Sequence, residues 1–239
     1  MKTNRAGFTL VEMAIVLVIV GLLLGGLLMP LSTQVEQRRI SETQKALDEI
    51  REALIGFAAS HVDAINHPFL PCPDKTVAGG VGTPNDGQED RNVVGTCVVS
   101  EGNLPWATLS VADADSWGNR FHYRVTAAFS NSATGFTLAN SGDITVQSSA
   151  IGGTAVATNV PVAVLSYGKN GFGATNFSGG INPAPTSADE LENTAGVATT
   201  FVSHIRTDVS APAGEFDDIV TWISPNTLYN RMISAGNLP

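Results

Sequence analysis

Glu12 is the only charged residue in an apolar run from Phe8 to Leu31. A carboxylate in hydrocarbon costs about 3 kcal/mol on insertion scales and usually has a partner, so its chemistry here is charge pairing. Cys72 and Cys97 offer a disulfide or two metal thiolates, but they lie too far apart for the close pairs of a zinc site. Asp217 and Asp218 form an adjacent acidic pair. Asp86, Glu89 and Asp90 form another acidic group, without the spacing of an EF-hand loop. For either group the plainer reading is a solvated acidic loop. His61, His67, His122 and His204 are scattered, and HExxH, GxSxG and P-loop patterns are missing from the sequence. Ser203-His204 with a distant aspartate is a pairing that chance supplies, so catalysis is not expected. His122 reads as an outward strand residue; His61 and His67 flank a helix end, where imidazole can meet the last carbonyls.

These residues must be positioned by a chain of 239 residues with 43% hydrophobic and 15% charged residues. That composition excludes a disordered polar chain and allows a sizeable core. There are 13 basic and 22 acidic residues, a net charge of −9. A general nucleic-acid binder shows a basic field, and this chain shows the opposite. Glycines and prolines, 24 and 12, fall mostly after the N-terminal quarter, favouring short strands and loops there.

A helix from Phe8 to Met29 is roughly 33 Å long at about 1.5 Å per residue, enough to cross a bilayer core of about 30 Å. Lys2 and Arg5 precede it, which places the N-terminus in the cytoplasm and the rest outside. Met29, Pro30 and Leu31 make a poor cleavage site for a secretory signal. The first cysteine, Cys72, is too distant for a lipoprotein signal. A plain signal anchor remains, but it leaves Glu12 unexplained. Gly21 and Gly25 form a small-xxx-small pair, with Gly26 beside them. In the exported part a cysteine pair is most simply a disulfide, worth on the order of 3 kcal/mol by the chain-entropy argument; a metal site is the alternative.

Ile40, Leu47, Ile50, Leu54 and Phe57 continue one apolar stripe, with mixed charges from Glu36 to Glu52 on the other face. The pattern predicts one helix over 8–60, bent at Pro30. Pro68, Pro71 and Pro73 end it. Strands are expected over 91–100, around Trp117, Phe121 and Tyr123, and over 135–140, 143–147, 161–168, 200–206 and 217–222. A short helix is expected over 188–194 and a last one after Ser224, with Pro225 at its first position. The stretch 172–214 otherwise reads as irregular.

The segment Gly7-Phe8-Thr9-Leu10-Val11-Glu12 resembles the processing signal of type IV prepilins and type II secretion pseudopilins. The resemblance implies a leader over 1–7, cleavage between Gly7 and Phe8 by prepilin peptidase, and N-methylation of Phe8. It implies a transmembrane and assembly helix over 8–30, loosened near its glycines and Pro30, and a periplasmic head over 31–239. Glu12 would pair with the free amine of a neighbouring subunit, each relieving the other's desolvation.

Downstream, Asp115-Ser116-Trp117-Gly118-Asn119 with Tyr123 is similar to the DxWGNxxxY segment of major pseudopilins. Ser166 to Gly171 resembles their SxGADG turn, and Asp217 to Trp222 their terminal DIxxW. The family binds calcium between those last two segments, which implies Asp217, Asp218 and Asn170 as calcium ligands, with no other cofactor. This chain departs from the pattern: Asn170 replaces an aspartate, and a long insertion separates Gly171 from Asp217.

The expected fold is α+β and pilin-like: a long N-terminal helix packed on an antiparallel sheet head. The expected function is a structural subunit of a type IV pilus-like or type II secretion pseudopilus fibre. Its partners are other pilin or pseudopilin subunits, prepilin peptidase and an inner-membrane assembly platform. It would begin as a single-pass inner-membrane protein and end in the fibre. The alternatives are a minor pilin acting as an adhesive or substrate-binding module, and a membrane-anchored periplasmic enzyme.

Overall fold

The computed structural model describes residue 7, residues 9–194 and residues 199–239, with residues 23–31 described in the backbone alone. α1 runs from Leu10 to Ser60. Phe8, and the surroundings of Gly25, Gly26 and Pro30, lie outside what is described. The helical backbone continues through Pro30. At the other end, Ser60 Oγ bonds the Gly56 carbonyl at 2.9 Å. His61 stacks on Phe57 with Nδ1 at 3.0 Å from its carbonyl oxygen.

The chain divides into two compact units, Met1–Ser41 and Glu42–Pro239. In the first, Leu10, Val11, Ile15, Leu17, Val18 and Leu22 are all exposed, so this stretch is apolar without a cover of its own. Among the described residues, no helix is long and apolar enough to cross a membrane. The apolar run of the sequence extends over 23–31, whose side chains are outside that description.

The second unit is the head. After α1 it contains β1 (Glu101–Asn103), α2 (Trp106–Leu109), β2 (His122–Val125), α3 (Ala127–Ser130), β3 (Ile144–Gln147), β4 (Ala155–Val160) and β5 (Val162–Ser166). Then come α4 (Ala188–Asn193), β6 (Thr200–Val202), β7 (Ile219–Ile223) and α5 (Pro225–Ala235). β1, β2, β5 and β7 form an antiparallel sheet in that order; β4, β3 and β6 form a second one, in which β3 and β6 run parallel.

Side-chain alternation explains the layering. Val162 and Val164 of β5 join Tyr123, Val125 and Ile223 in a core with Leu47, Ile50 and Leu54 of α1 and with Leu228 and Met232 of α5. Ala163 and Leu165 point the other way, into a second core with Ile144, Val146, Val160 and Phe201. β5 is therefore buried on both faces, as its unbroken apolar sequence requires. Each such Val, Ile or Leu contributes about 1.5–3 kcal/mol by leaving water.

Several elements differ from expectation. Residues 91–100 hold an isolated bridge, Arg91↔Cys97, around a turn in which Asn92 Oδ1 accepts the Val94 and Thr96 N–H groups, both at 3.1 Å. Residues 135–140 form a turn tied by Thr137 N–H to Asn140 Oδ1 at 2.7 Å. Trp117 sits in the turn before β2, not on a strand. The insertion is not featureless: α4 matches the expected short helix, and β6 completes the second sheet.

Candidate functional site

Gly7 is exposed, and among the described residues no side chain or backbone packs against it; the other half of the expected cleavage site, Phe8, lies outside the described residues. Thr9 and Glu12 form a reciprocal cap on α1. The Thr9 N–H and hydroxyl both donate to Glu12 Oε2 at 2.8 Å, while the Glu12 N–H donates to Thr9 Oγ1 at 3.3 Å. Two donors at the helix start are satisfied, with negative charge at the positive end of the helix dipole. Glu12 stays exposed, so the carboxylate is fixed in place yet reachable.

In the head, Asp115 joins two of the motif turns. Its Oδ1 accepts the Trp117 and Asn119 N–H groups at 2.9 and 3.0 Å, and its Oδ2 accepts the Ser166 hydroxyl at 2.6 Å. Gly168 then passes so close to Asp217 that a Cβ would lie 2.3 Å from its carbonyl oxygen, and its φ of 60° favours glycine.

That approach brings Asp217 and Asp218 together with Glu190 of α4. Ligand oxygens of the three carboxylates lie within 4.8 Å of one another, and all three residues are buried. Glu190 Oε1 accepts the Asp217 N–H at 3.0 Å and the Asn170 side-chain amide at 2.9 Å. Asp217 Oδ2 accepts the Asn170 N–H at 2.9 Å and has Arg206 at 3.9 Å. Asp218 Oδ2 accepts the Asn193 amide at 2.8 Å. Asp217 Oδ1 is buried with no hydrogen-bond partner among the described residues. Burial pushes the Asp218 carboxyl well above the usual carboxylate range, and Glu190 and Asp217 push it further. Burial raises the other two as well, with neighbouring carboxylates adding to it.

Such a corner fits a divalent cation, which would relieve the repulsion and engage the orphaned oxygen. Asp217, Asp218 and Glu190 could hold it. Asn170 takes another part, donating to two of the carboxylates. Glu190 escapes a reading of the sequence because it comes from the insertion, as one of two acids in the first turn of α4. An acid there is equally expected as a helix-dipole partner.

The second acidic group is spread out along the loop between the cysteines. Asp86 caps the Gln88 N–H, Glu89 holds the Cys72 N–H and Arg91, and Asp90 holds the Lys75 N–H. Cys72 and Cys97 are joined by a disulfide. The histidines stay apart: His122 meets Glu101 at 2.8 Å, and His204 meets Asp189 at 3.1 Å. His67 lies beside Asp63 at 3.5 Å.

Residues 2–28 match the family model described as the prokaryotic N-terminal methylation motif. The chain carries a prepilin-type signal. The signal supports a pilin- or pseudopilin-type subunit processed by prepilin peptidase and assembled with other pilin subunits. Comparison with curated proteins and with solved structures found no match. Thr9 and Glu12, the residues that cap α1, fall inside the prepilin-type signal.

Proposed function

We propose that this chain is a structural subunit of a type IV pilus-like or type II secretion pseudopilus fibre. The prepilin-type signal over residues 2–28, with Glu12 held at the first turn of α1, carries this reading. Cleavage after Gly7 frees the Phe8 amine, which is then methylated. The apolar part of α1 anchors the subunit in the inner membrane with the head in the periplasm, then bundles with its counterparts as the assembly platform extracts it. Within the bundle each Phe8 amine meets a neighbour's Glu12, so that neither charge is left alone in an apolar surrounding.

The longer head favours a specialised subunit over a minimal core one, because the insertion adds α4 and β6, and β6 completes a second sheet layered on the outer face of the main sheet. At the seam of that layer, Asp217, Asp218 and Glu190 bind calcium. The ion would neutralise the buried acids and fasten α4 to the entry of β7. N-terminal sequencing and intact mass of the mature protein test the subunit reading. A methylated start at Phe8 is expected; a start beyond Pro30 would make the chain an ordinary secreted protein.

A further inference from the structure

The two sheets of the head end in four edge strands, and three of these are guarded. β1 is 3 residues long, and Asp74 closes its outer side by exchanging backbone bonds of 3.0 and 2.8 Å with Asn103. β6 is also 3 residues long. β4 loses register with β3 and holds Asn159 at a φ of 57°. Short strands and irregularities keep an edge from pairing with another chain. β7 has neither. Its register with β5 is unbroken from Ile219↔Ser166 to Ile223↔Val162, and its sequence contains no lysine or proline. Among the described residues, its outer edge makes no backbone bond to another segment.

A groove of about 400 Å³ follows this strand, lined by Arg51, Val220, Thr221, Trp222 and Thr227. Arg51 Nε is buried and lacks a hydrogen-bond partner among the described residues. Glu52, next to it on the helix, is held by Arg231 at 2.9 Å. Arg51 itself lines the groove, so its guanidinium is the cation that a carboxylate docked there would meet.

We infer that the β7 edge and Arg51 together receive an extended acidic segment from a second copy of this chain. The edge supplies main-chain pairing, and the guanidinium supplies a fork for a carboxylate. The occupant is a second copy because the chain is itself acidic, with 22 acidic against 13 basic residues, and so offers the complementary charge. The inference rests on the fibre reading, in which identical subunits lie side by side. A β7 edge that meets a different surface of its neighbour leaves that neighbour's own β7 free for the next copy. Such a contact propagates into a filament and does not close into a dimer.

The test uses the full-length protein, in sheared fibres and in detergent-dispersed form. Cys72 and Cys97 are bridged, so Thr221→Cys adds a single free thiol. Its maleimide labelling should be about tenfold slower in the assembled state, as for a contact occupied nine-tenths of the time. Arg51→Glu should restore fast labelling in assemblies, and Arg51→Met, which keeps the aliphatic stem, should shift it the same way. Assemblies in which Thr221→Cys labels as fast as in the dispersed protein overturn this inference and leave the fibre reading standing. Equal protection in dispersed monomers, or crosslinking of that thiol to a different protein, overturns it too. Failure of the wild-type chain to assemble at all removes both.

Discussion

Glu190 Oε1 accepts the Asp217 backbone N–H at 3.0 Å, so a helix inside the insertion supplies a carboxylate to the entry of β7. The same oxygen takes the Asn170 amide at 2.9 Å. Three chain segments thus converge on one acidic corner. Without a cation, burial and the neighbouring carboxylates raise the pKa of all three acids.

Calcium should therefore stabilise protein first stripped of metal. At a hundredfold excess over Kd, mass action gives about 2.7 kcal/mol, which raises Tm by roughly 5–10 °C for a head of this size. Glu190→Gln should reduce the shift by more than half, because it removes one of the three anionic groups. Differential scanning fluorimetry with calcium and with chelator measures both. An unchanged Tm in the stripped wild type would remove the cation from the corner.

Legibility in the sequence followed the range of the interaction. α1 was readable because the stripe of Leu47, Ile50, Leu54 and Phe57 is local and periodic, and all four are buried. Asp217 and Asp218 stood out because the segment from Asp217 to Trp222 resembles the terminal DIxxW of major pseudopilins. Glu190 did not, since only the packing of α4 against β6, beside the entry of β7, brings it near. Arg51 lay within a run of mixed charges that reads as a solvated face, and periodicity does not distinguish an edge strand such as β7 from a central one. The second core was hidden for a similar reason. β5 reads as one apolar run, and its sequence alone does not say what covers Ala163 and Leu165.

Asp74 should impose a pH dependence of its own. Its carboxylate accepts the Asn85 and Gly87 N–H groups, both at 2.9 Å, yet burial pushes its pKa from 3.8 up to about 7. The two N–H groups oppose that rise, and Asp86 and Asp90 add to it. The folded value lies above the unfolded one. Between about pH 4 and pH 7 the folded chain holds a proton that the unfolded chain has lost. This group's contribution to stability therefore falls as pH rises through that window and is level above it. Urea midpoints of the wild type, taken relative to Asp74→Asn, should decline from about pH 4.5 to about pH 7.5 and then stay flat. A relative midpoint that climbs with pH would show that the carboxylate is the favoured form in the fold.

Removing the disulfide should loosen one loop before the rest of the head. Cys72 and Cys97 are separated by 25 positions, and closing a loop of that length contributes on the order of 3 kcal/mol. The double variant Cys72→Ser, Cys97→Ser should lose about that much in urea melts. Limited proteolysis should cut it between residues 76 and 96 while the sheets remain protected. The Arg91 contacts with Glu89, Leu70 and Ser130 still tether the loop, so cutting should stop short of global unfolding. Equal stability and equal cutting rates would mean that these contacts hold the loop without the bridge.

Thr9 and Glu12 set up a test of what the membrane-side carboxylate does. Within one chain Glu12 closes the helix cap; in the proposed fibre it also meets the Phe8 amine of a neighbour. The two roles respond differently to substitution. Thr9→Val removes the hydroxyl from the cap and leaves the charge, at a cost of about 1 kcal/mol. Glu12→Gln keeps an acceptor for the Thr9 N–H and removes the charge. Glu12→Leu removes both. An amine left alone in the apolar bundle costs about 3–5 kcal/mol, and the cost recurs at every subunit contact. Glu12→Gln and Glu12→Leu should therefore both fail to enter sheared fibres, while Thr9→Val enters at near wild-type levels. All three should still be cut after Gly7 if the peptidase mainly reads the glycine, and an intact mass starting at Phe8 checks that each variant reached the assembly step. Incorporation is measured with no wild-type copy present, so that a mixed fibre cannot rescue a variant. Normal assembly of Glu12→Gln together with failure of Thr9→Val would reverse the assignment. Glu12 would then act by capping its own helix, and the registration of one subunit against the next would have to come from elsewhere in the chain.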